Sequence, residues 1–188
     1  QCTGADAADC LTADQVAALT TDDFAAIGTA GLRGMNSAQI GVLTTDQIVA
    51  LTTNQAGALS TAQVAALSTN AIAALETADF AALKTAAVAG LSTNQIKALT
   101  TDQIVALTTG EASVLSSAQV AALSTDAVAA LQTADLAAIK TSSFAALNSS
   151  QVAALTTAQV NGLATAQLAS LSTAAIAGLS AAQVAGLT

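Results

Sequence analysis

A large aliphatic residue occupies every eighth position of this chain, and no insertion or deletion breaks the count. The series begins at Leu11, continues through Leu43 and Leu51, and reaches Leu187. With this residue as position one, the octad has the consensus L-[ST]-T-x-Q-[VI]-A-A. A fixed short period is typical of repeat architectures, in which one unit cannot bury its apolar face alone and must stack on its neighbours.

The spacing within the octad indicates helix rather than strand. Position six is also large and apolar in most octads, so the gaps between large apolar residues alternate between five and three. A gap of three, as from Ile48 to Leu51, places both side chains on one face of a helix. The same gap in a strand would send them to opposite faces. We therefore expect a short helix in the second half of each octad.

One continuous helix cannot satisfy the pattern, because the leucine stripe would drift by about 80° per octad. The Ser/Thr pair at positions two and three explains the interruption, since a hydroxyl at a helix start accepts a backbone hydrogen bond. A cap at position two would form a capping box with Gln at position five. Position two is also occupied, however, by Glu76, Lys84, Gln132 and Lys140. Position three is stricter, and the predicted helix caps are therefore Thr45, Thr53, Thr61 and Thr101.

These features predict an all-α solenoid of very short helices, one per octad. Helices of this length do not survive alone in water and need a shared core. The predicted core positions are one and six, represented by Leu43, Ile48, Leu51, Leu99, Ile104 and Leu107. A β-solenoid with eight-residue rungs is the alternative fold.

The chain divides into residues 1–10 and a solenoid over residues 11–188. Cys2 and Cys10 both precede the repeats, and we expect a disulfide loop or cap formed in an oxidising compartment, with two free thiols as the alternative. The phrase LTTDQIVALTT occurs at positions 43–53 and again, seven octads later, at positions 99–109. This longer period predicts seven-octad blocks near 11–66, 67–122 and 123–178. Either duplication or a superhelix that returns after seven octads would explain it.

Composition argues against several classes of function. A net charge of −8 with only four Lys and Arg opposes nucleic-acid binding. The chain has no His, so hydroxyl nucleophiles lack the usual base, and two thiols make at best half a zinc site. Polar residues recur every few positions, which argues against a membrane span. We expect no enzyme activity, no cofactor and no bound metal.

The phrases LTTDQIVALTT and LSTAQVAALST resemble octapeptide arrays of large secreted or cell-surface bacterial proteins that are described as adhesin-like. The resemblance covers Leu11–Thr188 and implies an extracellular structural role without catalytic residues. The repeat register continues through residues 182–188, and we expect head-to-tail stacking of identical chains into a filament or an adhesin stalk. Other cell-surface components are further candidate partners. The alternative function is a solenoid module that binds carbohydrate, protein or ice.

Overall fold

The structure, a computed structural model, describes residues 11–187, and the predicted loop with Cys2 and Cys10 lies outside them. These residues form 22 helices of four to six residues each, and none of them lies in a strand. The prediction of an all-α solenoid is thus confirmed, and the β-solenoid alternative is wrong. The chain forms two compact units, which divide after Leu91.

The helices of the first unit are α1 (Ala13–Ala17), α2 (Thr21–Ala25), α3 (Thr29–Gly34), α4 (Ser37–Gly41), α5 (Thr45–Val49), α6 (Thr53–Ala58), α7 (Thr61–Ala66), α8 (Thr69–Ala74), α9 (Thr77–Ala81) and α10 (Thr85–Ala89). Those of the second unit are α11 (Thr93–Lys97), α12 (Thr101–Val105), α13 (Thr109–Val114), α14 (Ser117–Ala122), α15 (Thr125–Ala130), α16 (Thr133–Ala138), α17 (Thr141–Phe144), α18 (Ser149–Ala154), α19 (Thr157–Asn161), α20 (Thr165–Ser170), α21 (Thr173–Ile176) and α22 (Ala181–Ala185).

Three octads complete one coil of the solenoid. Within each unit, every helix packs against the helix three places further along the chain, as α1 does on α4 and α4 on α7. The helices of a unit therefore form three columns. In the second unit these columns start at α11, α12 and α13.

This coil length bears on the seven-octad period. Gln103 in α12 and Gln159 in α19 are seven octads apart, yet α12 belongs to the column with α15 and α18, while α19 belongs to the column with α13 and α16. Three octads return the chain to the same column of a unit. Seven is not a multiple of three, so a step of seven octads ends in a different column. The column assignment therefore favours duplication over superhelical geometry as the origin of the longer period.

Each helix begins one residue earlier than the sequence predicts. Thr44 is the N-cap of α5, with an extended backbone (φ −76°, ψ 159°), and its hydroxyl accepts a hydrogen bond from the N–H of Gln47. Thr45 is already the first helical residue. The caps assigned to Thr45, Thr53, Thr61 and Thr101 are therefore wrong, and the structure has Thr44, Thr52, Ser60 and Thr100 in that role.

The physical reason is that a cap is tolerant of exceptions. A capping side chain contributes only about 1 kcal/mol, so a packed helix can begin without one. The helices that follow Glu76, Lys84, Gln132 and Lys140 do so, with no side-chain hydrogen bond at the cap.

Packing explains why position three accepts fewer residue types than position two. A Cβ atom added to Gly90, at position eight of α10, would lie 2.7 Å from the Cγ2 of Thr61, at position three of α7. The first residue of one helix thus lies against the end of the helix stacked on it. The threonine methyl group fills this contact, and the small residue at position eight leaves room for it.

The corners between helices contain no left-handed residue. At a typical corner Leu59 (φ −56°, ψ 139°) and Ser60 (φ −80°, ψ 162°) are both extended, and no residue between 11 and 187 has a positive φ. The leucine at the corner turns inward and is only 2% exposed. The core positions named above are all buried, from 0% exposed at Ile48 to 9% at Leu99.

Candidate functional site

A buried glutamine at position five is the most regular polar feature of the molecule. Gln159 is 2% exposed, and its Oε1 accepts a hydrogen bond from the N–H of Thr156 at 2.7 Å. The hydroxyl of Thr156 accepts one in return from the N–H of Gln159 at 3.1 Å. The pair is a capping box, which satisfies two of the N–H groups that a helix start leaves without partners.

The amide nitrogen of the same glutamine reaches the coil below. Nε2 of Gln159 donates to the carbonyl oxygens of Val128 at 2.9 Å and Leu131 at 2.7 Å. These carbonyls lie at the C-terminal end of α15, beside the helix on which α19 stacks. The same kind of bond joins two coils at each member of a set that we call the glutamine ladder: Gln39, Gln47, Gln55, Gln63, Gln151, Gln159, Gln167 and Gln183.

The ladder answers the main difficulty of very short helices. An α-helix leaves four N–H groups at its start and four carbonyls at its end without intrahelical partners. In a five-residue helix that is almost the whole backbone. One glutamine side chain serves the start of its own helix and the end of another. The sequence suggested this capping box, but the cap was assigned to position three, and the bond to the preceding coil was not anticipated.

One coil in each unit has no glutamine at position five. This position holds Ala71, Asp79 and Ala87 in α8–α10, and Ala127, Asp135 and Ser143 in α15–α17. In two of these octads the side chain at position two donates to a carbonyl of a preceding coil instead. Nζ of Lys84 donates to the carbonyl of Leu59 at 3.3 Å, and Nε2 of Gln132 donates to that of Val105 at 2.8 Å. The irregular residues at position two thus accompany the loss of glutamine at position five.

Two of the replacements are buried carboxylates. Asp79 is 2% exposed and Asp135 is 3% exposed, and the Oδ2 of each has no hydrogen-bond partner. The hydroxyl of Thr109 donates to Oδ1 of Asp135 at 2.9 Å. Burial raises the pKa of Asp79, and the nearby charge of Glu76 raises this pKa further, while a hydrogen bond from Thr53 opposes both.

Comparison with known families fits this architecture. Residues 16–53, 72–109 and 128–165 match the family model described as the ALTTAQ repeat, and together they cover more than half of the chain. The chain belongs to the ALTTAQ repeat family. The three matches start at equivalent positions of successive seven-octad segments, so each ALTTAQ match takes in the same part of its segment. No curated protein was found to match the chain.

The surface of the first unit has a shallow polar depression of about 380 Å³. It lies along α3, α6 and the end of α9, where Arg33 and Asn54 flank Gly57. Across residues 11–187, no three His, Cys, Asp or Glu side chains come together as metal ligands. Over the same range no helix has the length and hydropathy needed to cross a bilayer.

The repeated phrase LTTDQIVALTT presents two valines outward. Val49 is 50% exposed and Val105 is 47% exposed, at a position where most octads have alanine. Each is accompanied by an exposed aspartate on the same helix, Asp46 or Asp102. These two valine surfaces are a repeated apolar feature outside the core.

The buried carboxylate of Asp79 predicts an unusual pH dependence. The pKa of Asp79 is raised in the folded protein above the ordinary aspartate pKa of 3.8. The folded chain therefore binds a proton at this carboxylate at a higher pH than the unfolded chain does. Its contribution to stability therefore increases as the pH falls through the raised pKa and levels off below the unfolded value. We expect Asp79→Asn to lack this increase and to be more stable than the wild type at pH 7 by about 1 kcal/mol.

Urea unfolding of both proteins between pH 4 and pH 7 measures the difference. Asp46→Asn is the control, since it removes an exposed carboxylate from a helix of the same unit. Parallel stability profiles for the wild type and Asp79→Asn would contradict the prediction.

Proposed function

We propose that this ALTTAQ repeat protein is a non-enzymatic structural protein that assembles with copies of itself by stacking coil on coil. The observation that carries the proposal is the glutamine ladder. Every laddered interface uses the same donors and acceptors, so a coil surface that carries the glutamines complements any coil that offers the carbonyls. Such an interface is heterologous, and repeated heterologous contacts without closure build open filaments.

The energetics of one interface also favour assembly. Gln63 and Gln159 form equivalent bonds to the coil below, and both are less than 5% exposed. Around them the leucines of position one and the branched residues of position six are buried. Each Å² of apolar surface removed from water contributes about 25 cal/mol. A coil surface that lacks a neighbour would therefore gain both hydrogen bonds and apolar burial on stacking.

We place the protein outside the cell, as a filament subunit or the stalk of an adhesin-like bacterial surface protein. The octapeptide resemblance supports this location, as does the interpretation of Cys2 and Cys10 as a disulfide. The helix surfaces present hydroxyl groups with few charges, which limits repulsion between neighbouring copies. A polyanionic nucleic acid is a poor partner for a chain of net charge −8.

A second candidate function is a binding module, for which the exposed valines provide the specific observation. The side chains of Val49 and Val105 lie on outward helix surfaces, away from the buried contacts between coils. A protein or carbohydrate ligand that uses these surfaces would leave the ladder intact. The two functions therefore respond differently to substitution of the valines.

Electron microscopy of purified protein tests the proposal. We expect unbranched fibres, together with a molar mass in light scattering that rises with concentration. The matched control is Val49→Asp with Val105→Asp, which should leave the fibres unchanged because stacking does not use these side chains. Monomers at all concentrations would overturn the assembly proposal, and fibres that disappear in the control would show lateral valine contacts in place of stacking.

A further inference from the structure

Two consecutive interfaces in the second unit differ sharply in their hydrogen bonds. The upper interface joins the coil α15–α17 to the coil α18–α20, and the lower interface joins α15–α17 to α12–α14. Gln159 and Gln167 donate to buried carbonyls at the ends of α15 and α16, across the upper interface. Gln151 in α18 donates to the carbonyl of Leu123, which ends α14. At the lower interface the corresponding positions are Ala127, Asp135 and Ser143.

The side-chain bonds made directly between the coils α12–α14 and α15–α17 are more exposed to solvent. Gln132 donates to the carbonyl of Val105 at 2.8 Å, and the hydroxyl of Ser117 donates to that of Ser142 at 3.1 Å, both at exposed sites. Water competes for exposed groups, so such bonds contribute less than the buried bonds of the ladder. The third contact, from Thr109 to Asp135, is partly buried.

The lower interface also contains an unfavourable group. Oδ2 of Asp135 is buried there and accepts no hydrogen bond. A buried polar atom without a partner loses its hydration and gains nothing in exchange. At the equivalent place in α19, Gln159 has partners for both its oxygen and its nitrogen. The lower interface thus lacks the three amide donors of the ladder and includes one unpaired oxygen.

We propose that the lower interface is a seam, a built-in opening point at which the second unit separates before its other coils come apart. Solenoid stability is approximately a sum of repeat terms and nearest-neighbour interface terms. A weakened interface in such a stack becomes a boundary between regions that open independently. The seam allows α15 and α16 to part from α12 and α13, while Gln151 keeps α18 bonded to the end of α14.

The first unit has the same arrangement. The absence of glutamine from one coil is therefore a repeated feature and not an isolated irregularity of the second unit. Ala71, Asp79 and Ala87 occupy position five of the coil α8–α10, and Oδ2 of Asp79 is likewise buried without a partner. Lys84 supplies a long donor there, to the carbonyl of Leu59. Each unit therefore has one coil with no glutamine at position five and with an unpaired buried carboxylate oxygen in its place.

Hydrogen exchange of the full chain, measured by mass spectrometry in low concentrations of urea, tests the seam. The coil α15–α17 lies in the middle of its unit and would ordinarily exchange more slowly than the coils on either side. We expect amides of α12–α17 instead to exchange faster than those of α18–α20. Equal protection, or slower exchange at α12–α17, in the wild type overturns the proposal without any variant.

Two triple variants then assign the cause. Ala127→Gln with Asp135→Gln and Ser143→Gln should restore the ladder and slow exchange at α12–α17 by about fivefold for each effective glutamine. Gln151→Ala with Gln159→Ala and Gln167→Ala should accelerate exchange at the upper interface by a similar factor. Asp135→Gln alone serves if the first triple variant does not fold. Fast exchange at α12–α17 that neither restored variant slows overturns the assignment to the missing glutamines.

Discussion

Replacement of Gln159 by alanine lowers the free energy of unfolding by about 3 kcal/mol, because it leaves several buried backbone groups without partners. The N–H of Thr156 loses its acceptor, and the carbonyls of Val128 and Leu131 lose their shared donor. The bonds to the two carbonyls are buried, and the bond at the N–H of Thr156 is partly buried. Urea unfolding followed by circular dichroism measures the change.

Gln15→Ala is the matched control for this prediction. Gln15 forms the same capping box, with its Oε1 2.8 Å from the N–H of Thr12, but its side chain is exposed. We expect this variant to lose about 1 kcal/mol or less, as for an ordinary cap. Gln159→Glu separates the two roles further, since it keeps the acceptor oxygen and removes the donor nitrogen. Equal losses for Gln15→Ala and Gln159→Ala would contradict the importance of the bonds between coils.

The second large effect is expected at Phe80, which is fully buried at position six of α9. The helix beneath α9 is α6, and its position six holds Ala56, also fully buried. A phenylalanine, the largest residue type in this core, thus belongs to a helix stacked on one that has alanine at position six. Phe80→Ala places two alanines in stacked helices and leaves a cavity, with an expected loss of about 4 kcal/mol.

A double variant makes this prediction specific. Ala56→Leu alone overfills the core next to Phe80 and should cost about 1–3 kcal/mol. In combination with Phe80→Ala it should recover part of the lost stability, because the added leucine fills the cavity. Thermal unfolding of the four proteins completes a double-mutant cycle. Strictly additive losses would show that the two side chains do not share a space.

The helical solenoid could be predicted from the sequence because its cause is local. The three-residue gap between Ile48 and Leu51 and the hydroxyl pair before each gap are enough to indicate short helices with interruptions. The cap position was misjudged because Lys84 and Gln132 looked incompatible with capping. They are exceptions for a tertiary reason, since their side chains donate to the preceding coil.

The glutamine ladder could not be predicted from one octad, because its acceptors lie 28 and 31 residues earlier. That distance has meaning only once a coil is known to contain three octads. The most visible long period in the sequence, seven octads, pointed away from this number. The burial of Asp79 and Asp135 could not be predicted either, because it depends on which helices stack on each other. From the sequence alone, an aspartate in a polar octad is expected at the surface.

The uniformity of the ladder also governs how such a chain can change its length. Every laddered corner offers the same carbonyl acceptors, and a glutamine from any octad can reach them. The loss of a single octad would move each later helix into the next column, yet each ladder glutamine would still meet a corner. As far as these hydrogen bonds are concerned, the length of the array can therefore change in steps of one octad rather than one coil.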